Sequence, residues 1–315
     1  MRDLDLTSLR LFVTVCETRN IARAAEQQAI VGSAISKRLA ALEATVGTPL
    51  LLRRRRGVEP TPAGETLLEH ARAMLAGADR IGRDMAAYAT GVRGQVRVLA
   101  TVSVLAESLA DDVAAFLQNP AHRDIQVGME ERISADVVRG LKEGSASVGI
   151  CWDSPHGADL SGLQRRPYRS DHLAIVVPPG HPLAGHTQLA FEQALGFEHV
   201  SLPPASAAQL MLQQAAARAG RALVQRMVVS NFDAALRVVR ANLAISVVPR
   251  EVAQPYASTY GLRVIPLTDP WAQRRFAICF RDEAALSAAA RLLVEHLAGV
   301  AEVGGPDAVK TAVLA

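Results

Sequence analysis

The chain has 315 residues, half of them hydrophobic and 4% aromatic, with a net charge of +3, which gives room for two or three domains packed on aliphatic side chains. Its three cysteines, Cys16, Cys151 and Cys279, are far apart and lie in apolar stretches; that excludes a disulfide framework and a cysteine-based metal site and predicts buried, inert thiols. The start, MRDLDLTSLR, lacks the apolar core of a signal peptide and no run approaches a membrane span, so a cytoplasmic protein without a membrane partner is expected.

Leu9, Phe12, Val13 and Cys16 recur at three- and four-residue spacing and predict a first helix over 6–17. Thr18-Arg19-Asn20 is a turn, with Asn20 placed to cap the next helix, whose stripe is Ile21, Ala24 and Ala25. A break at Ile30-Val31-Gly32 follows. Ser33 reads as the N-cap of a further helix with Ala34, Ile35, Leu39, Leu42 and Val46 on one side, stopped by Gly47 and Pro49. Its outward side carries hydrogen-bond donors: Ser33, Ser36, Lys37 and Arg38. Four arginines, Arg53, Arg54, Arg55 and Arg56, then precede Gly57 and two prolines. Residues 1–60 hold ten Lys/Arg against six Asp/Glu, a local +4 that leaves the rest of the chain at −1. A tight helical pair, a donor-rich second helix and a basic turn are the parts of a winged helix-turn-helix over 1–61, with double-stranded DNA as partner.

Residues 62–91 read as one long linker helix. Leu67, Ala71, Met74, Ala78, Ile81, Met85 and Tyr88 alternate steps of four and three, the pattern of a dimer seam; packing on its own domain is the alternative. From Gln95 to Ala298, apolar β-rich runs alternate with helices in two sets of similar size. This predicts parallel sheets covered on both faces, arranged as two α/β lobes with a cleft and joined by crossing segments near 163–178 and 262–280. The last helix is expected over 283–298, and 299–315 as a flexible tail.

Leu9 and Phe12, Ala24-Ala25, Ser33-Ala34-Ile35-Ser36, Leu42-Glu43, Gly47, Leu50, Arg53, Thr61 and Ala63-Gly64 together resemble the LysR-type transcriptional regulators, over nearly the whole chain. The resemblance implies a homodimer or homotetramer that regulates transcription, and a C-terminal domain resembling type 2 periplasmic binding proteins that senses a small molecule; RNA polymerase is a further candidate partner. Three positions depart from the family pattern. Leu51 stands in place of an aromatic residue, Gly32 in place of a common glutamine, and Asn242-Leu243-Ala244 in place of Gly-x-Gly.

Phosphates supply affinity and base edges supply sequence information. Lys37 and Arg38 have the reach for guanine edges or phosphates, Ser33 and Ser36 for backbone or one base, and Arg53 to Arg56 for a neighbouring phosphate or minor groove. Arg23 is either a phosphate ligand or a solvated side chain. Two-fold symmetry predicts a near-palindromic operator. In the lobes, hydroxyls recur where strands end and helices begin: Thr101, Ser103 and Ser134 in the first, Ser201 and Ser206 in the second, with Trp152 and Phe232 beside them. Such positions suit a polar or anionic effector held by hydroxyls and helix N–H groups, although each Ser or Thr is equally an ordinary cap and Trp152 equally core. With no Gly-rich phosphate loop, metal-ligand cluster or nucleophile elbow in the sequence, neither an enzyme nor a cofactor is expected. A constitutive DNA binder with an inert body is the alternative function.

Overall fold

Asp5 starts the first helix. Its carboxylate accepts the N–H groups of Thr7 and Ser8 at 3.1 and 3.0 Å, and α1 runs Leu6–Thr18. The computed structural model describes residues 4–54, 57–90, 94–154 and 157–303, and the chain falls into two compact units, the first made of the chain up to Thr90 together with Lys142–Ser145. Asn20 caps α2 (Ile21–Gln27) by accepting from Ala22 and Arg23 at 2.8 and 3.2 Å. In α3 (Gly32–Val46) the cap is Val31, not Ser33. Val31 is extended, Gly32 is already helical, and the Val31 carbonyl accepts from Ala34 and Ile35, so Ser33 lies inside the first turn with its side chain exposed. Gly47 closes α3 at φ 79°.

Leu9, Phe12, Ala24 and Ile35 form a dry centre for these helices. The wing is an antiparallel hairpin of β1 (Leu51–Arg54) and β2 (Gly57–Pro60). Glu43 fixes its entry, accepting from the Leu50 and Leu51 N–H groups at 2.7 and 3.2 Å. Its exit crosses the end of α1: the Val58 N–H donates to the Arg19 carbonyl, and a Cβ on Gly57 would lie 2.3 Å from that oxygen. Thr61 then caps α4 (Pro62–Thr90).

The heptad positions of α4 divide. Ala71 is fully buried and Leu67 half-buried, both against the core of their own unit, and Arg72 donates to Glu17 at 2.9 Å. Met74, Ile81 and Met85 are exposed, Ala78 is half-buried, and the Tyr88 side chain lies outside the described residues.

The second unit proceeds through β3 (Gly94–Ala100), α5 (Val102–Val104), a π turn at Leu105–Leu109, α6 (Ala110–Gln118), β4 (Ile125–Glu131), α7 (Ser134–Glu143), β5 (Val148–Trp152) and the long β6 (Gln164–Val177). It continues through α8 (Phe191–Ala194), β7 (His199–Ser201), α9 (Ala207–Arg218), β8 (Gln225–Val228), α10 (Phe232–Arg240), β9 (Ser246–Pro249), α11 (Arg250–Tyr260), β10 (Arg263–Pro266), β11 (Gln273–Phe280) and α12 (Ala288–Val303). β3 pairs in parallel with β4 and β5, and β7 with β8. The sheets are nevertheless mixed, not purely parallel. β6 is the crossing strand, and it runs antiparallel to β11 through residues 164–172 and to β9 and β10 through 173–177.

Three details differ from expectation or settle it. α11 was not anticipated because Pro255 lies inside it, where proline ordinarily ends a helix. The last helix starts at Ala288 and reaches Val303, because 283–285 form a separate 3-10 turn; residues 304–315 lie outside the description. Asn242 adopts φ 55° while Ala244 stays out of the positive region and is buried, so the chain manages the Gly-x-Gly departure with one left-handed asparagine.

Glu43→Ala leaves two N–H groups at the wing entry without their acceptor. It should cost about 1–3 kcal/mol, with Glu43→Gln costing less, in thermal unfolding of the full chain.

Candidate functional site

The DNA-facing candidates sit on rigid elements. On α3, Ser33, Lys37 and Ala40 are exposed opposite buried Ile35, Leu39 and Leu42, so Ser33 and Lys37 stand one turn apart on the outward face. Ser36 and Arg38 flank them on opposite sides. Arg38 is engaged: its Nη1 donates to Asp5 Oδ2 at 2.9 Å, reaching the residue that caps α1. The Ser8 hydroxyl, with the Thr7 and Ser8 N–H groups, holds the Asp5 carboxyl below the usual range, and Arg38 adds to this. On the wing Arg54 Nε donates to Glu59 at 3.1 Å across the hairpin. Arg23, Lys37 and Arg53 are exposed and have no ion-pair partner among the described residues, in which Arg55 and Arg56 do not fall.

In the second unit the hydroxyls predicted as one constellation separate. Ser103 accepts from Arg274 Nη2 at 3.0 Å, and Ser206 caps α9 by accepting from the Gln209 N–H at 3.3 Å. Ser201 is buried on β7, and Phe232 is a core residue packed among Val200, Leu236 and Val248. Thr101 and Ser134 are different: both hydroxyl oxygens are buried with no hydrogen-bond partner among the described residues. Ser134 and Trp152 line one cavity of about 190 Å³ with Ala205 and Ala207, which flank Ser206, and with Met211 and Gln214. Trp152 is both core and cavity wall. Sequence reasoning missed Met211 and Gln214, which lie mid-helix on α9 and carry no cap or motif signal. The Gln209 amide nitrogen, two residues before Met211, is also buried with no hydrogen-bond partner among the described residues.

The pattern of the bacterial regulatory helix-turn-helix protein, lysR family, matches residues 6–65, and that of the LysR substrate binding domain matches 89–302. The chain belongs to the LysR family of transcriptional regulators. A probable hydrogen peroxide-inducible genes activator of Mycobacterium avium is 26% identical over 282 residues, covering 88% of each chain. The HTH-type transcriptional regulator GbpR of Azospirillum brasilense is 27% identical over 296 residues, 93% of this chain and 86% of that one. The crystal structure of full-length CbnR complexed with its target DNA superposes with a TM-score of 0.62 at 25% identity, covering 93% of this chain and 99% of that chain.

In this LysR regulator the crossover between lobes is a charged junction. Arg274 Nε donates to Asp171 Oδ1 at 2.7 Å, its Nη2 donates to the other carboxylate oxygen, and both residues are buried. Nearby, β6 bulges: three residues of β6 step past two of β11, and Tyr168 and Arg169, at that step, both donate to Asp112. Burial alone would raise the Asp112 carboxyl, but those donors outweigh it and hold it low. The π turn brings Glu107 to the same junction. Burial pushes it up to about 8, Asp171 and Glu251 push the same way, and Arg274 and Arg169 oppose them.

The sign of the resulting pH dependence is fixed. Between the ordinary 4.5 and about 8, the folded chain keeps a proton on Glu107 that the unfolded chain has released, so this group's stabilisation falls as pH rises through that window. Glu107→Gln mimics the protonated form. Thermal unfolding should find it equal to wild type near the low end and more stable at the high end, by about 1–3 kcal/mol after allowing for solvent screening. A difference that stays constant with pH would contradict this.

Proposed function

We propose that the chain binds a near-palindromic operator as a homo-oligomer through α3 and the wing of residues 1–61, and that a small polar or anionic effector in the cleft of residues 95–298 sets its activity. The observation that carries the effector half is the pair of buried, unpartnered hydroxyls, Thr101 and Ser134, the second on a cavity wall. A buried hydroxyl without a partner is costly in an inert body, and a ligand that supplies one removes that cost. This favours a sensor over a constitutive DNA binder. Ser103 is better read as support for the crossover than as a ligand contact, since Arg274 already occupies it.

On the DNA side, a relative of similar architecture has been seen on its target DNA. The exposed Ser33–Lys37 face fits a major groove, and Arg53 extends from the wing. The exposed half of the α4 seam, Met74, Ile81 and Met85, is the part free for a second copy, whereas Leu67 and Ala71 serve their own unit. We read the protein as a regulator and not a catalyst, working in the cytoplasm beside its DNA; among the described residues no helix is long and apolar enough to cross a membrane. One relative bears a peroxide-linked name, but thiol chemistry fits this chain poorly. All three cysteines are buried; burial pushes Cys16 up to about 12, and the neighbouring Cys151 thiol together with burial pushes Cys279 higher still.

Quantitative footprinting over a salt series tests the DNA face. Arg53→Ala should weaken operator and random DNA alike and lower the salt slope by about one unit. Lys37→Ala should cost about 1–3 kcal/mol on the operator and less on random DNA; equal losses on both would remove Lys37 from base readout. Ile81→Asp tests the seam: sedimentation should show smaller species and operator binding should collapse, because a charge at a buried seam has no partner. A variant that sediments like wild type would remove Ile81 from the interface.

A further inference from the structure

A second cavity, of about 330 Å³, adjoins the first and shares Trp152, Met211 and Gln214 with it. The chain has two tryptophans, and both line this chamber. Trp271 is held by an edge-on contact with Phe191, with centroids 5.4 Å apart at 87°, so its ring orientation is set before any ligand arrives. Trp152 is fixed by burial at the end of β5. Two guanidinium groups complete the lining: Arg218, the last residue of α9, and Arg275 of β11.

The placement of Arg275 follows from strand alternation. Arg274 and Phe276 are buried while Gln273 and Arg275 are exposed, so the inward turn of Arg274 to Asp171 puts Arg275 on the opposite, cavity-lining side. Neither Arg218 nor Arg275 has an ion-pair partner among the described residues. The acidic residue of the chamber, Asp153, is engaged by Arg165, whose Nη1 donates to its Oδ1 at 2.8 Å. Two arginines therefore line the chamber with no ion-pair partner among the described residues, against one carboxylate that Arg165 engages. Arg218 also complements the C-terminal dipole of α9, and an exposed arginine is often simply solvated. Neither account explains why both cations share one chamber with both tryptophans.

We propose that this chamber is a binding site for a planar aromatic carboxylate, its ring on the tryptophan surfaces and its carboxylate on Arg218 and Arg275. The planar guanidinium matches a carboxylate in geometry, and a flat π surface favours a flat ring over a puckered one. The volume is at the low end for small-molecule pockets, which selects a one- or two-ring compound. The site adjoins the hydroxyl-lined chamber at Ser134 across Trp152, Met211 and Gln214, but Arg218, Arg275 and Trp271 line it alone, so it does not require that chamber to be occupied.

Both tryptophans line this chamber and Trp152 also borders the adjoining one, so emission reports a ligand in either, and the arginine and Ser134 variants assign the response to one of them. The full-length protein is titrated with benzoate, benzamide and cyclohexanecarboxylate under selective tryptophan excitation, with calorimetry as a second readout. Benzoate should give a saturable change and bind about ten-fold or more tighter than either comparator, one of which lacks the charge and the other the flat ring. Arg218→Gln and Arg275→Gln, both at exposed positions, should each weaken benzoate several-fold and together abolish the response, while Ser134→Ala leaves it intact. The proposal is overturned if benzoate gives no saturable response up to its solubility limit. It is equally overturned if either comparator binds as well as benzoate, or if the double variant responds like wild type.

Discussion

Strand β6 has to belong to two sheets at once, and one buried ion pair sits where it changes partners. Ser170, Asp171 and His172 are paired with β11, while Leu173 onward is paired with β9 and β10. Taking Asp171 and Arg274 out of water is costly, and their attraction offsets that cost only with good geometry and with the remaining donors satisfied. Both conditions hold: Arg274 engages both carboxylate oxygens and also Ser103. Such a pair adds little net stability over an apolar one, but losing one partner costs about 3–5 kcal/mol. Its effect is to fix register. A one-residue slip of β11 would expose Arg274 and bury Arg275, so the pair decides which arginine goes to the junction and which to the chamber of the two tryptophans.

The same pair binds the start of α5 to the crossover through Ser103, and the π turn that follows brings Glu107 against it. A π turn holds one extra residue per turn and is a common mark of functional positions. In a two-lobed sensor the crossover is where hinge motion concentrates. Here it holds Glu107, a carboxyl that burial, with Asp171 and Glu251, pushes up to about 8 against the opposing pull of Arg274 and Arg169.

Much of the architecture was legible in the sequence because local signals agreed with the tertiary outcome. Asn20, Gly47 and the Leu9–Phe12–Ile35 periodicity are recognisable without partners. What failed to show was set by local backbone geometry or by contacts distant in sequence. Val31 displaced Ser33 as the cap because its extended backbone, not a side chain, begins α3. Leu67 and Ala71 continue the heptad of Met74 and Ile81, yet the first two are consumed by contact with the winged core, and spacing alone cannot separate the two fates. Ser103 looked like every other hydroxyl at a strand end; only the position of Arg274, 171 residues away, removes it from the cleft. The pairing of Arg218 with Arg275, and of Trp152 with Trp271, joins residues of separate elements and leaves no trace in any local motif.

The DNA face raises a final question of competition. Arg38 and Arg54, two residues expected to reach DNA, are each engaged by a carboxylate, Asp5 and Glu59. Both pairs are about half exposed, and ion pairs of that kind are worth about 0–1 kcal/mol, so a phosphate or base edge displaces the carboxylate at small cost. What matters is the state of the carboxylate left behind. Asp5 keeps three other donors, the N–H groups of Thr7 and Ser8 and the Ser8 hydroxyl, so α1 stays capped when Arg38 leaves. Among the described residues Glu59 has no comparable set of local donors, and near a phosphate its charge is repelled. The two arginines are thus unequal. On the proposed reading Arg38 can turn to DNA without disturbing its helix, whereas Arg54 can do so only by leaving an acidic group on the wing, and Arg53 and Lys37, with no ion-pair partner among the described residues, are expected to contribute more to binding.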